Sequence, residues 1–256
     1  MKNLRKFVAF ALAIVLMLSL CTGCGDGKDN GNQKAEGDYS YHWKLATTET
    51  SDYYMTVLAQ EFLDKVSERT GGKVTGEVFA SGQLGGLVDA LEGLELGTVD
   101  IVMDGFSSLG EVNPLFDVWG MPYLYDNDEH RDKFWDEYFD ECAELVAEKA
   151  NIRMVTVLDG LNRNLSCTKA VNNLNDLKGL KIRVPTITTY MKVWECFGTA
   201  PVPMALSEVY TSIQNNVVQG QENDIMLTMN MNFYEVAPYK QAFWLSIIGI
   251  SIGLIL

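Results

Sequence analysis

The order of periodicities between Tyr41 and Met103 limits this chain to very few architectures. Tyr41 to Thr47 alternates like a strand, Lys73 to Phe79 reads as a second, and Val99 to Met103 as a third. Two helical patterns separate them. The first follows Ser51-Asp52, which can cap it, and places Tyr54, Val57, Leu58, Phe62 and Val66 on one face before Gly71-Gly72 ends it. The second carries Leu84, Leu87, Val88, Leu91 and Leu94 in a stripe stopped by Gly97. A βαβαβ order predicts α/β structure, a parallel sheet with helices on both faces, because parallel neighbours need a crossover of helix length. Ligands of such sheets bind beyond the carboxyl ends of the strands. The segment Asp104-Gly105-Phe106-Ser107-Ser108 is expected there.

A long helix is predicted over Asn127 to Lys149, with Phe134, Trp135, Tyr138, Cys142, Leu145 and Val146 inward, and a strand over Ile152 to Leu158. Beyond Gly160 the pattern repeats on a smaller scale. Strands are expected at Lys181–Val184 and Thr199–Pro203, and helices at Thr188–Phe197, Ser207–Gln214 and Asn223–Asn232. This gives two α/β lobes, residues 39–160 and 161–245, with a junction near Asp159-Gly160. A cleft between lobes is a preferred place for small molecules.

Ahead of the body, Lys2, Arg5 and Lys6 precede an apolar run from Phe7 to Leu20. That is the layout of a secretory signal, and the run is shorter than the roughly 20 residues of a bilayer-spanning helix. Cys21-Thr22-Gly23-Cys24 puts small residues before Cys24, as a lipoprotein signal peptidase requires, with Cys21 where leucine is usual. The expectation is a signal peptide over residues 1–23, a lipid on Cys24 that anchors the chain to a bilayer at its extracytoplasmic face, and a flexible tether over residues 24–38. The tether, GDGKDNGNQKAEGD after Cys24, has no large apolar residue to bury. An uncleaved signal anchor, or cleavage without lipid, is the alternative.

Without the three leader cations, 17 basic residues face 34 acidic ones, a net charge near −17. Nucleic acid and anionic headgroups are excluded as partners on that balance. Besides Cys24, Cys142, Cys167 and Cys196 are odd in number and widely spaced, so neither a disulfide framework nor a zinc site is expected, and all three read as buried small apolar residues. His42 and His130 have no companion at metal-ligand spacing. Walker, GxGxxG and HExxH sequences do not occur. No catalytic residue, metal or cofactor is called.

Three segments carry specific information. Leu161-Asn162-Arg163-Asn164 follows the Ile152–Leu158 strand. Leu177 to Pro185 reads LKGLKIRVP. Pro201 to Tyr210 reads PVPMALSEVY and leads to Val218-Gln219-Gly220-Gln221-Glu222-Asn223 and Phe233-Tyr234-Glu235-Val236. Together with Gln83-Leu84-Gly85-Gly86, Leu96-Gly97-Thr98-Val99-Asp100 and Met121-Pro122-Tyr123-Leu124, they resemble the DctP-type solute-binding subunits of tripartite ATP-independent periplasmic (TRAP) transporters. The resemblance covers about Tyr39 to Gln241. It implies a two-lobed periplasmic-binding-protein-like fold with a ligand cleft between lobes, a small organic acid as ligand, and TRAP membrane permease subunits as partners. It further implies that Arg183 forms a two-pronged salt bridge with the ligand carboxylate, that Arg163 assists, and that Asn223 reaches the ligand. A planar guanidinium suits that task because it offers two parallel donors.

Departures from the family bear on the ligand. Asp104 stands beside the usual polar position, which Gly105 occupies; Leu206 replaces a frequent aromatic, and Leu87-Val88 a frequent Glu-Arg. Trp43, Phe106, Trp119 and Trp194 are candidate cleft aromatics, with core packing as the competing role for each. The departures point to an aliphatic or aromatic mono- or dicarboxylate. After Phe243-Trp244 the resemblance fades, and Ser246 to Leu256 is apolar, read as one buried strand, the remnant of a hinge or of a return to the first lobe, in a chain shortened at its C-terminus. A ligand-sensing lipoprotein feeding a membrane signalling protein is the alternative to transport.

Overall fold

Two five-stranded sheets organise the body. The computed structural model describes residues 39–158, 160–245 and 250–254; the leader, Cys24 and the tether lie outside the described residues. The first sheet is built from β1 (Tyr41–Ala46), β2 (Val74–Phe79), β3 (Ile101–Gly105), β4 (Arg153–Leu158) and β10 (Ile250–Leu254), in the order β2-β1-β3-β10-β4. β1 runs parallel to β2 and β3, while β10 is antiparallel to both β3 and β4. The second sheet holds β5 (Arg163–Cys167), β6 (Lys181–Val184), β7 (Ala200–Pro203), β8 (Gly220–Asp224) and β9 (Tyr239–Leu245), in the order β7-β6-β8-β5-β9. β6 is parallel to β7 and β8, and β5 antiparallel to β8 and β9. The predicted parallel core is present in both, each closed by antiparallel strands. β7 tolerates Pro201 and Pro203 because it is an edge, where a missing N–H costs no ladder bond.

Helix α1 (Tyr54–Arg69) packs on β1 and β2 by a face different from the predicted one. Met55, Thr56, Ala59 and Leu63 are buried, whereas Val57 and Leu58 are 46% and 43% exposed. The helix lies so close to the sheet that a Cβ on Gly76 would meet Leu63 Cδ2 at 2.7 Å. Small residues at Ala59 and Gly76 set that approach, and they outweigh the bulkier stripe. Its N-cap is Tyr53, which makes no side-chain cap bond, so the expected Ser51-Asp52 cap is not formed. Helix α2 (Leu87–Glu95) buries Leu87, Leu91 and Leu94 as predicted.

Helix α3 (Leu109–Val112) and a 3-10 segment (Pro114–Gly120) lead to α4 (Asp128–Ala150), which Asn127 caps by accepting from His130 N at 2.9 Å. α4 buries Trp135, Cys142 and Val146, while Tyr138 is exposed. In the second sheet α5 (Thr188–Cys196) follows β6 and α6 (Val209–Gln214) follows β7. The segment expected as one helix from Asn223 is instead β8 followed by α7 (Ile225–Asn230) and α8 (Phe233–Val236). Asn223 therefore stands on a strand. Glycine and four polar residues with no alternation hid β8, which is buried at every position. Cys142 and Cys167 are buried, but Cys196, at the solvent end of α5, is exposed.

Candidate functional site

A cavity of about 380 Å³ lies at the carboxyl ends of the parallel strands of both sheets, where such folds place ligands. From the first sheet come Thr48 and Glu49 after β1, Ser81, Gly82 and Gly85 to Asp89 after β2, and Asp104, Gly105 and Ser107 at the end of β3. From the second come Arg163, Arg183, Tyr190, Met204, Asn223 and Asp224. The cavity is large enough for a ligand of sugar size.

Arg183 is 4% exposed and forms no ion pair among the described residues. Its Nε and Nη2 donate to one carbonyl, that of Met204, at 3.0 and 2.8 Å. The parallel register sets this up: Val184 faces Pro203, and the chain leaving β7 brings Met204 beside Arg183. Nη1 has no protein partner among the described residues. Burial pulls this guanidinium down to about 10, opposed by Glu222, Glu49 and Asp104 and reinforced by Arg163. It stays charged at neutral pH.

Arg163 has a different setting. Its Nε and Nη2 donate to the Glu222 carboxylate at 2.5 and 3.1 Å, and Nη2 also reaches Asn223 Oδ1 at 2.6 Å. Burial opposes its charge, but Glu222 and Tyr190 outweigh burial and raise its pKa above the ordinary arginine value. The guanidinium also lies 5.4 Å from the Tyr190 ring centroid. Asn223 donates to Gln221 Oε1 at 2.9 Å, and Gln221 in turn donates to Ser166 Oγ at 2.7 Å and Thr228 Oγ1 at 3.3 Å. Arg163 and Asn223 thus line the cavity while belonging to an internal network.

Asp104 lines the cavity with both oxygens engaged, accepting from Thr48 Oγ1 at 3.1 Å and Gly105 N at 2.5 Å. Burial lifts it to about 6 against those bonds and the two arginines. Asp224 accepts from Tyr53 OH at 2.9 Å and from Leu227 N at 2.8 Å, tying the loop before α1 to the end of β8. Glu49 is unlike both. Its Oε2 is buried without a hydrogen-bond partner, and burial, then Asp104 and Asp224, push it up to about 8.

Two sequence candidates fall elsewhere. Phe106 is fully buried edge-to-face against Trp119 and Trp135, and Trp194 is fully buried against Phe197. Neither lines the cavity; they fill the apolar layers behind it, as do Trp43 and Trp119. The aromatics that line the cavity are Tyr53 and Tyr190. Neither lies in a resembling motif, and Glu49 is one acid among 34. The replacements Leu87 and Val88 do line it, as does Leu206. His42 is exposed beside Thr75 and His130 is exposed beside Asp126. Among the described residues no cluster of His, Cys, Asp and Glu could hold a metal, and no helix is long and apolar enough to cross a membrane.

Residues 45–242 match the DctP family, bacterial extracellular solute-binding protein, family 7. The chain belongs to this family. A solute-binding protein of Roseobacter denitrificans is 37% identical over 182 residues, 71% of this chain and 56% of its own length. The sialic acid-binding periplasmic protein SiaP of Vibrio cholerae is 30% identical over 179 residues, 70% of this chain and 56% of SiaP. Among solved structures, a TRAP periplasmic solute-binding protein of Roseobacter denitrificans with bound L-galactonate superposes with a TM-score of 0.79 at 32% identity, covering 84% of this chain and 72% of that one. Another from Xanthobacter autotrophicus, with bound β-D-galacturonate, gives 0.79 at 26% identity over 83% and 71%. The family member described here spans a little over half the length of the curated relatives it matches. The two-lobed fold and the TRAP resemblance of the motifs agree with these likenesses.

Proposed function

We propose that this family member binds a small organic acid outside the cytoplasm and delivers it, without turnover, to the membrane subunits of a TRAP-type transporter. The observation that carries the reading is Arg183, a buried guanidinium that lines the cavity and is oriented by a carbonyl instead of being neutralised by a carboxylate. Taking a cation out of water is costly unless an anion compensates it. A ligand carboxylate supplies that anion and meets donors already fixed in place. Arg163 and Asn223 form the adjoining wall, and Asp104 faces them. The sugar acids bound to the relatives from Roseobacter and Xanthobacter carry such a carboxylate. A lipid on Cys24 and a tether over residues 24–38 would hold the receptor at the membrane that carries the transporter.

Thermal denaturation of the purified protein with organic acids tests the reading. At one hundred times its dissociation constant a ligand stabilises by about 2.7 kcal/mol, a shift of several degrees. The shift should vanish in Arg183→Met. A shift of equal size in that variant would refute the carboxylate clamp, and chemical conversion of any stabilising acid would refute a pure receptor.

A further inference from the structure

Arg183 accounts for one polar group of the cavity; another stands in the loop between β1 and α1. We infer that Glu49 is the specificity-determining residue of this cavity, receiving a hydroxyl of a polyhydroxylated acid whose carboxylate is held by Arg183. The inference rests on the organic-acid reading of the site and narrows it, away from the plain aliphatic or aromatic acid that the sequence departures suggest.

The geometry singles Glu49 out. Glu49, Asp89, Asp104, Asp224 and the neighbouring Glu222 are the acids at or beside the cavity. Four of the five carboxylates are occupied: Asp89 by Gly86 N, Asp104 by Thr48 and Gly105, Asp224 by Tyr53 and Leu227, Glu222 by Arg163. The Glu49 carboxyl makes no hydrogen bond or ion pair among the described residues, and its Oε2 is shut off from bulk water. Its backbone is pinned, with its carbonyl accepting from Ser81 N at 2.7 Å and its N–H donating to Thr47 Oγ1 at 3.2 Å. A buried polar group left without a partner is costly, so native folds keep few of them. Here the orphan lies in the same cavity as the one guanidinium that also lacks an ionic partner, and the two do not approach to ion-pair distance. A ligand with an anionic end and a hydroxyl end satisfies both.

Chemistry selects the hydroxyl. The groups facing Glu49 are Asp104 at the end of β3, Asp224 at the end of β8, Tyr53 before α1, Arg163 on β5 and Arg183 on β6. Burial and the two aspartates outweigh the arginines and keep the carboxyl protonated at neutral pH. A neutral carboxyl both donates and accepts, as a hydroxyl does, and adds no repulsion toward the ligand's carboxylate. A site built to hydrogen-bond a hydroxyl strongly rejects the analogue that lacks it.

Calorimetry with three matched pairs tests this: L-galactonate against hexanoate, D-galacturonate against cyclohexanecarboxylate, and D-erythronate against butanoate. In Glu49→Ala the best hydroxylated acid should bind about tenfold more weakly, while its plain counterpart changes less than twofold. Glu49→Gln, which keeps a neutral donor and acceptor, should stay within about threefold of the wild type at pH 7. Wild-type affinity should fall between pH 7 and 9, and that of Glu49→Gln should not. Equal weakening of both members of a pair in Glu49→Ala, with thermal denaturation showing the variant folded, overturns the role of Glu49. So does an identical pH profile for wild type and Glu49→Gln, or a plain acid bound as tightly as its hydroxylated partner. Failure of all six acids to bind overturns the organic-acid reading itself, and with it this inference.

Discussion

Replacing Arg183 by methionine separates a ligand clamp from a structural residue through the stability of the ligand-free protein. The fall of its pKa from the ordinary arginine value to about 10, at about 1.4 kcal/mol per pH unit, means that folding the charged group costs about 3 kcal/mol. The group is 4% exposed, so solvent screening takes little from that figure. The sign follows from proton counting. Below pH 10 both folded and unfolded chains carry the proton and the cost is present in full; above it the folded chain releases the proton first and stability rises. Methionine removes this cost at pH 7. It also strips the Met204 carbonyl of two donors, which costs about 1–3 kcal/mol. The two nearly cancel, so the ligand-free variant should unfold within about 1 kcal/mol of the wild type in urea. An ordinary buried side chain would lose more. A loss above about 3 kcal/mol would show that Arg183 holds the fold together and would refute the argument.

Arg163→Met should behave in the opposite way, because it leaves Glu222, which is fully buried, without its cation. A loss of about 3–5 kcal/mol in urea denaturation is expected, with partial recovery in the double variant Arg163→Met/Glu222→Gln. Trp194→Ala should cost about 3–5 kcal/mol yet leave ligand affinity within twofold by calorimetry, as befits a core residue behind the cavity wall. Stability should fall as pH rises from the ordinary carboxylate range through about 8, because folded Glu49 and Asp104 hold protons that the unfolded chain has released. Glu49→Gln should flatten that decline in thermal denaturation at a series of pH values.

How much of this was legible follows from what each residue depends on. β1, β2, β6 and β7 could be read because their patterns are local and bounded by glycine, proline or polar breaks. The helix α1 could be found, but its buried face could not. That face is chosen by the close approach to Gly76, a contact between residues distant in sequence. β8 escaped because a strand buried on both faces by polar side chains has no alternation to detect. Arg183, Arg163 and Asn223 came from the resemblance of their motifs to a family, which implied a shared cavity without saying what each is bonded to. Phe106 and Trp194 were named as cleft aromatics because an aromatic's direction is not in its neighbours. Glu49 and Tyr190 were missed for a related reason: nothing local distinguishes a carboxyl that the fold buries from one that it leaves in water.

The two arginines show how one fold assigns opposite tasks to the same side chain. They lie on strands that flank β8, and residues of β8 stand opposite each, Asp224 opposite Arg163 and Gln221 opposite Arg183. On the β5 side Glu222 lies within reach and takes two nitrogens of Arg163. The resulting neutral pair holds Asn223, and Asn223 holds Gln221, so the wall of the cavity is cross-linked by hydrogen bonds. On the β6 side the nearest acceptor is a carbonyl, and a carbonyl can orient a guanidinium without cancelling its charge. On the proposed reading the charge pair orders the wall and the unpaired charge attracts the ligand, at neighbouring places in one sheet. Exchanging the partners would defeat both purposes. A carboxylate beside Arg183 would compete with the ligand for its donors, and a carbonyl beside Arg163 would leave a second buried cation for the apo fold to carry.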